Sequence, residues 1–131
     1  MGVTERMTVE EYRAYLDGKK RSKYRNEKTR VDGITFDSQA EANRYCELKA
    51  LQQAGVIEWF ILQPRFLLQE GFQKGDITFG KIEYVADFLI RWSDGTNTVE
   101  DVKGMRTREY RMKRQMFERR YPTLQIVEVE A

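Results

Sequence analysis

The run from Ile82 to Trp92 is apolar on both faces of an extended strand except at Asp87 and its ends, and this constrains the fold more than any other feature. A strand apolar on both sides reads as a central one, covered by a layer above and a layer below. Within Glu83-Tyr-Val-Ala-Asp-Phe-Leu-Ile-Arg-Trp92 the acid lies among Val85, Ala86, Phe88 and Leu89. Desolvating that carboxylate costs several kcal/mol unless it is paired or bound to a metal. Two readings follow: a buried ion pair with an arginine, or a metal ligand.

The flanking sequence supplies the layers. Thr8 with Glu11 fits a capping box, opening a short helix from Val9 to Leu16 that Gly18 stops. Residues 18–32 are too polar to pack and read as a basic linker or arm. Asp32-Gly33 reads as a turn, after which Ile34 and Phe36 return the chain to the core. A helix is expected from Ser38 to near Gly55, with Tyr45, Leu48 and Leu51 on one stripe. Trp59 to Leu68 reads as extended, with a first strand near 65–69, and Gly71 to Lys81 as a hairpin connection. The central strand 82–92 turns at Ser93-Asp94-Gly95 into a third strand, Thr96 to Lys103. An amphipathic helix from about Thr107 to Tyr121 carries Tyr110, Met116, Phe117 and Tyr121 on its apolar side, and Leu124 to Glu130 alternates as the last strand. The order α-β-β-β-α-β implies an α/β fold with a mixed central sheet flanked by helices.

The residues that are missing exclude whole chemistries. The chain has 131 residues, no histidine and one cysteine. It therefore has no Ser-His-Asp or Cys-His pair, no HNH-type nuclease centre and no histidine-ligated zinc. Cys46 can form no internal disulfide, and beside Tyr45 and Leu48 it reads as a small buried hydrophobe. Any metal must rest on oxygen ligands, which favour Mg²⁺, Mn²⁺ or Ca²⁺. No apolar run is long enough to span a membrane and Met1 to Glu10 lacks a signal peptide's apolar stretch, so a cytoplasmic protein without membrane contact is expected.

A net charge of +2 conceals two basic blocks, Lys19 to Arg30 and Lys103 to Arg120, which hold 15 of the 23 Lys and Arg residues. Such blocks, interleaved with Tyr24 and Tyr110, present a polyanion with a local field that the net charge hides. The plainer reading is a solvated helix face and a solubilising linker.

Further acids join Asp87. Alternation in Thr98-Val-Glu-Asp-Val-Lys103 places Asp101 and Lys103 on one face and Glu100 on the other. The short turn at 93–95 makes this strand the antiparallel neighbour of the one carrying Asp87. Two carboxylates about 4 Å apart repel by about 4 kcal/mol at an effective dielectric near 20, so a divalent cation is an economical reason for bringing them together. Glu41 fits a capping box with Ser38, yet it also lies on the inward stripe of Tyr45 and Leu48, and both readings stand.

The ordered set of Glu41 on a helix, Asp87 on a strand, Asp101-Val102-Lys103 on the next and a basic helix after it resembles the PD-(D/E)XK nuclease superfamily. Lys23-Tyr-Arg-Asn26, Asp32-Gly-Ile-Thr-Phe-Asp-Ser38, Leu62-Gln-Pro-Arg-Phe66, Tyr84-Val-Ala-Asp87 and Glu100-Asp-Val-Lys-Gly104 resemble, more narrowly, its phage and prophage endonuclease branch. The resemblance implies a restriction-endonuclease-like core, similar to Holliday-junction resolvases, over 33–131, with 1–32 as helix and basic arm. It implies that Asp87, Asp101 and the Val102 carbonyl, with Glu41, hold Mg²⁺ or Mn²⁺, and that Lys103 acts on the attacking water. Lys20, Arg21, Lys23 and Arg25 from the arm, and Arg106, Arg108, Arg111, Lys113 and Arg114 from the helix, would contact DNA phosphates. The implied activity is DNA endonuclease, with branched DNA in phage recombination or replication as a candidate substrate. The implied setting is the host cytoplasm if the chain is phage-encoded, with a homodimer as the candidate assembly. Ala86 stands where the superfamily pattern has proline, and Asp101 where glutamate is commoner, which leaves Glu100 as a rival. The competing class is a non-catalytic nucleic-acid-binding protein that keeps the fold.

Overall fold

A computed structural model describes residues 9–10 and 28–131. The chain divides into two compact units, the first ending at Ala42 and the second running from Asn43 to Ala131. The expected helix at Val9 to Leu16, beyond Val9 and Glu10, and the arm up to residue 27 lie outside the described residues. In the first unit, strands Thr29–Val31 (β1) and Ile34–Phe36 (β2) pair antiparallel. Asp32 and Gly33 join them with φ of 54° and 76°, both positive, as a two-residue hairpin turn of right-handed twist requires. The end of the expected linker is thus strand: β-branched Thr29 and Val31 pair with Phe36 and Ile34.

Helix α1, Gln39–Gln53, begins in the first unit and continues into the second. Its stripe is as expected at Tyr45 and Leu48, both buried, with Leu51 half-buried. Cys46 is exposed, contrary to expectation. One residue past Tyr45 turns about 100° around a helix, so Cys46 leaves the inward stripe.

In the second unit Ile57–Leu62 (β3), Phe88–Trp92 (β8), Asn97–Lys103 (β9) and Gln125–Glu130 (β10) form a mixed sheet. It runs in the order β10-β9-β8-β3, with β10 parallel to β9 and the remaining pairs antiparallel. Helix α2, Arg108–Arg120, links the two parallel strands. Its entry is capped by Thr107, whose Oγ1 accepts from the Tyr110 amide at 3.1 Å. The α-β-β-β-α-β order therefore holds, but the sheet's first strand is β3 rather than the segment near 65–69. No helix among the described residues is long and apolar enough to cross a membrane.

The segment near 65–69 belongs to an arm of the sheet. Arg65–Gln69 (β4) pairs antiparallel with Ile82–Val85 (β7), and beyond them lies the hairpin of Phe72–Lys74 (β5) and Ile77–Phe79 (β6). The expected single strand 82–92 is thus two strands, β7 and β8, with Ala86 and Asp87 between them. The reason sits across the ladder. Leu62 pairs with Phe88 and Arg65 with Val85, so Gln63 and Pro64 face Asp87 and Ala86. Proline has no N–H to donate, so Pro64 accepts from the Ala86 amide at 3.2 Å without returning a bond. Gln63 takes a left-handed φ of 49°, and its amide donates to the Asp87 carbonyl at 2.9 Å. One long ladder is kinked there.

Each sheet face has its own helix. On one side Tyr45 of α1 meets Phe60 edge-on, with centroids 5.9 Å apart, and Phe60 meets Phe88 at 6.4 Å. On the other side Phe117 of α2 packs among Phe66, Tyr84, Val99 and Ile126, with the Phe66–Phe117 centroids 5.0 Å apart. A buried side chain of this size contributes about 1.5–3 kcal/mol.

Glu100 fastens α1 to β9. Arg44 Nε and Nη2 each donate to one Glu100 carboxylate oxygen at 2.7 Å, and only 4% of the Glu100 side chain is exposed. This bidentate bond leads the causes that hold the Arg44 guanidinium well above its ordinary pKa. Removing one partner strands the other charge. Arg44→Ala should lower unfolding free energy in urea by about 3–5 kcal/mol, and Arg44→Met combined with Glu100→Leu should recover most of it.

Candidate functional site

The break at Ala86-Asp87 places Asp87 where β8 and β9 part. Beyond the Phe88–Glu100 pair, the Asp87 amide donates to the Glu100 carbonyl at 3.1 Å. Its carboxylate Oδ2 accepts from the Val102 amide at 2.6 Å, standing in for the backbone acceptor that β8 no longer supplies. Asp87 thereby bonds to the residues on both sides of Asp101.

Asp101 is buried, with 3% of its surface exposed. Its Oδ2 accepts from the Tyr84 hydroxyl, and its Oδ1 lies 3.0 Å from Lys103 Nζ. The Lys103 ammonium also sits over the Tyr110 ring, 4.1 Å from the centroid. Burial first, then the bond to Asp101, drives the Tyr84 phenol far above its ordinary pKa, and the charge of Asp87 adds to it. Tyr84 therefore stays protonated and donating at any physiological pH. Glu100 points to the opposite face and is held by Arg44, so it does not compete with Asp101 for this side of the sheet.

An open pocket of about 210 Å³ adjoins the cluster, with Tyr84, Lys103, Thr107, Tyr110 and Lys113 in its wall. Glu41 lies in the first unit, where its amide donates to Ser38 Oγ at 3.1 Å, the N-cap half of the capping box. Among the described residues, no three His, Cys, Asp or Glu side chains assemble into a group able to hold a metal. The donors at Asp87 and Asp101 are all oxygen, the donor type a hard cation takes.

The basic residues of the C-terminal block differ in their partners. Arg106 bonds to Glu128 at 3.0 Å and Glu130 at 2.8 Å, Arg114 lies 3.2 Å from Glu128, and Lys113 lies 3.2 Å from Glu109. Arg108 and Arg111 are exposed, with no ion pair among the described residues. Lys20, Arg21, Lys23 and Arg25 lie outside those residues. Tyr84, Tyr110 and Glu128 were absent from the sequence-based site. Glu128 had a signal, since alternation from Ile126 puts it on the inward face; a tyrosine in an apolar stretch signals only that its hydroxyl needs some partner.

Residues 21–130 match the family described as "Protein of unknown function (DUF1064)". The chain belongs to that family. No curated protein and no solved structure matches it.

Glu128 generates a pH dependence. The Tyr110 hydroxyl, donating at 2.8 Å, and then Arg106 and Arg114 hold its carboxyl below the ordinary value of 4.5. A carboxyl with a lowered folded pKa contributes fully above its unfolded value and loses that contribution as pH falls through the folded one. Melting temperatures measured from pH 6 downward should therefore fall less steeply for Glu128→Gln than for wild type, and the gap between the two should close below 4.5.

Proposed function

We propose that the protein is a metal-dependent DNA endonuclease with a restriction-endonuclease-like core. The observation that carries this reading is Lys103, in the wall of an open pocket, held 3.0 Å from the Asp101 carboxylate while the Asp87 carboxylate takes the amide of the intervening Val102. Asp87, Asp101 and the Val102 carbonyl are the proposed holders of Mg²⁺, for which Mn²⁺ could substitute. When bound, such a cation supplies polarisation of the scissile phosphate and a more acidic water. The chain's own residues do the rest. Asp101 gives Lys103 its place, and the Tyr110 ring keeps the ammonium over the pocket, where it can donate to and orient an attacking water or offset charge on the transferring phosphate. Arg108 and Arg111, exposed on the helix that follows β9, are suited to phosphate contacts that position a duplex without reading its bases. Action on branched DNA, a role in phage recombination or replication, and dimerisation belong to the same proposal.

A second reading is a non-catalytic nucleic-acid-binding protein. It is favoured by how well the acids are already served: Val102 bonds Asp87, while Tyr84 and Lys103 bond Asp101. Asp87→Asn separates the two, because the amide oxygen can still accept from Val102 while the charge is lost. Linear duplex, single-strand, flap and four-way-junction DNA would be incubated with Mg²⁺, Mn²⁺ or EDTA. The nuclease reading expects metal-dependent cutting by wild type and a loss of at least 100-fold in Asp87→Asn and Lys103→Ala, both still folded. Cutting that survives both substitutions, or folded wild type that binds every substrate and cuts none, would sink it.

Phosphate contact has its own signature. Arg108→Ala with Arg111→Ala should make the dependence of DNA affinity on salt shallower by about 0.9 for each phosphate no longer neutralised, or about 2 in log–log slope. Arg114→Ala should change the slope little, since its guanidinium is already shared with Glu128.

A further inference from the structure

Asp101 is gripped by two donors of opposite character. Tyr84 is 3% exposed, and its ring is enclosed by Phe117 at 5.5 Å, Tyr110 at 6.2 Å and Phe66 at 6.3 Å. Swinging that ring away would break packing across the core, so its hydroxyl is a fixed, neutral donor. Lys103 is the reverse: a flexible four-carbon stem, 22% exposed at its side chain, in the wall of an open pocket. Its ammonium can be received by water or a phosphate group, and an incoming cation would take over its place at the buried carboxylate.

We propose that Tyr84 is a positioning residue that pins Oδ2 of Asp101, so that Oδ1, the oxygen facing Lys103, is the one presented to a divalent cation, with Lys103 as the exchangeable partner. This deepens the nuclease reading and rests on it. The two neighbours of Asp101 should then act on cation affinity with opposite sign. Without the Tyr84 hydroxyl the carboxylate is free to turn, and loss of such a supporting hydrogen bond typically weakens metal binding about 10–100-fold. Without the Lys103 charge a cation 3.0 Å from the ligating oxygen is gone, and affinity should rise roughly tenfold. A purely structural tyrosine would affect melting temperature and leave cation affinity in the folded protein unchanged.

The test is calorimetric titration of Mn²⁺ into DNA-free protein: wild type, Tyr84→Phe, Lys103→Met and Asp101→Asn, each checked for folding by thermal denaturation. The expected result is binding by wild type, none by Asp101→Asn, weakening by about 10–100-fold in Tyr84→Phe and strengthening in Lys103→Met. Equal affinity in wild type and folded Tyr84→Phe would overturn the inference and leave the nuclease reading standing. Should Tyr84→Phe not fold, Lys103→Met decides, and unchanged or weaker binding there overturns the exchange. Wild type that binds no Mn²⁺, or binding that survives Asp101→Asn, would remove the metal site itself.

Discussion

The missing N–H of Pro64 organises this fold. β3 with β4, and β7 with β8, would otherwise make one uninterrupted antiparallel ladder, since both halves share a register. At Pro64 a rung is lost, Gln63 turns left-handed, and the chain opposite is released from strand geometry at Ala86-Asp87. A left-handed non-glycine residue costs about 1–2 kcal/mol. That cost is offset by packing on either side of the kink: Phe60 and Phe88 beneath α1, Phe66 and Tyr84 beneath α2. The kink leaves the amide of Val102 without a backbone acceptor from β8, and the Asp87 carboxylate fills the vacancy. The position of the acid thus follows from a proline that lies opposite its neighbour, Ala86.

β9 then divides two adjacent carboxylates between environments. Glu100 and Asp101 are equally buried at 3%, but strand alternation sends them to opposite helices. Glu100 meets the guanidinium of Arg44, which matches both its oxygens and serves as a clasp. Asp101 meets a phenol and a single ammonium, neither of which engages it bidentately. A rigid pair matched at both oxygens on one face thus stands against two single contacts on the other.

Much of this was legible in the sequence. The helix stripes, the Asp32-Gly33 turn, the antiparallel joining of β8 to β9 and the opposition of Glu100 to Asp101 follow from period and turn chemistry, which are local. What escaped depends on pairing between distant segments. Pro64 is visible as an interruption of its own run, yet its effect on residues 86 and 87 requires knowing that the two lie opposite. The sheet's first strand was displaced for the same reason: Ile57–Leu62 carries Glu58 and large apolar residues without clean alternation, because β3 is an edge strand with a bulge between Ile57 and Trp59. Cys46 was misplaced by reading neighbours in sequence as neighbours in space, which a helix does not allow.

Charge shows most clearly how composition and field diverge. The C-terminal block looks like a continuous basic surface, but Glu128 draws in both Arg106 and Arg114, and Glu109 takes Lys113. These carboxylates come from β10 and from the helix itself, so only pairing of β10 with β9 brings Glu128 under the helix. The cations left unpaired among the described residues in the first half of α2 are Arg108 and Arg111. Arg119 and Arg120 in its last turn are exposed as well, so four of the helix's six cations carry no ion pair among the described residues. The basic stretch before β1 is the one other concentration of positive charge in the sequence. Lys103, at the end of β9, is held differently from these helix cations, by the Asp101 carboxylate and by the face of the Tyr110 ring.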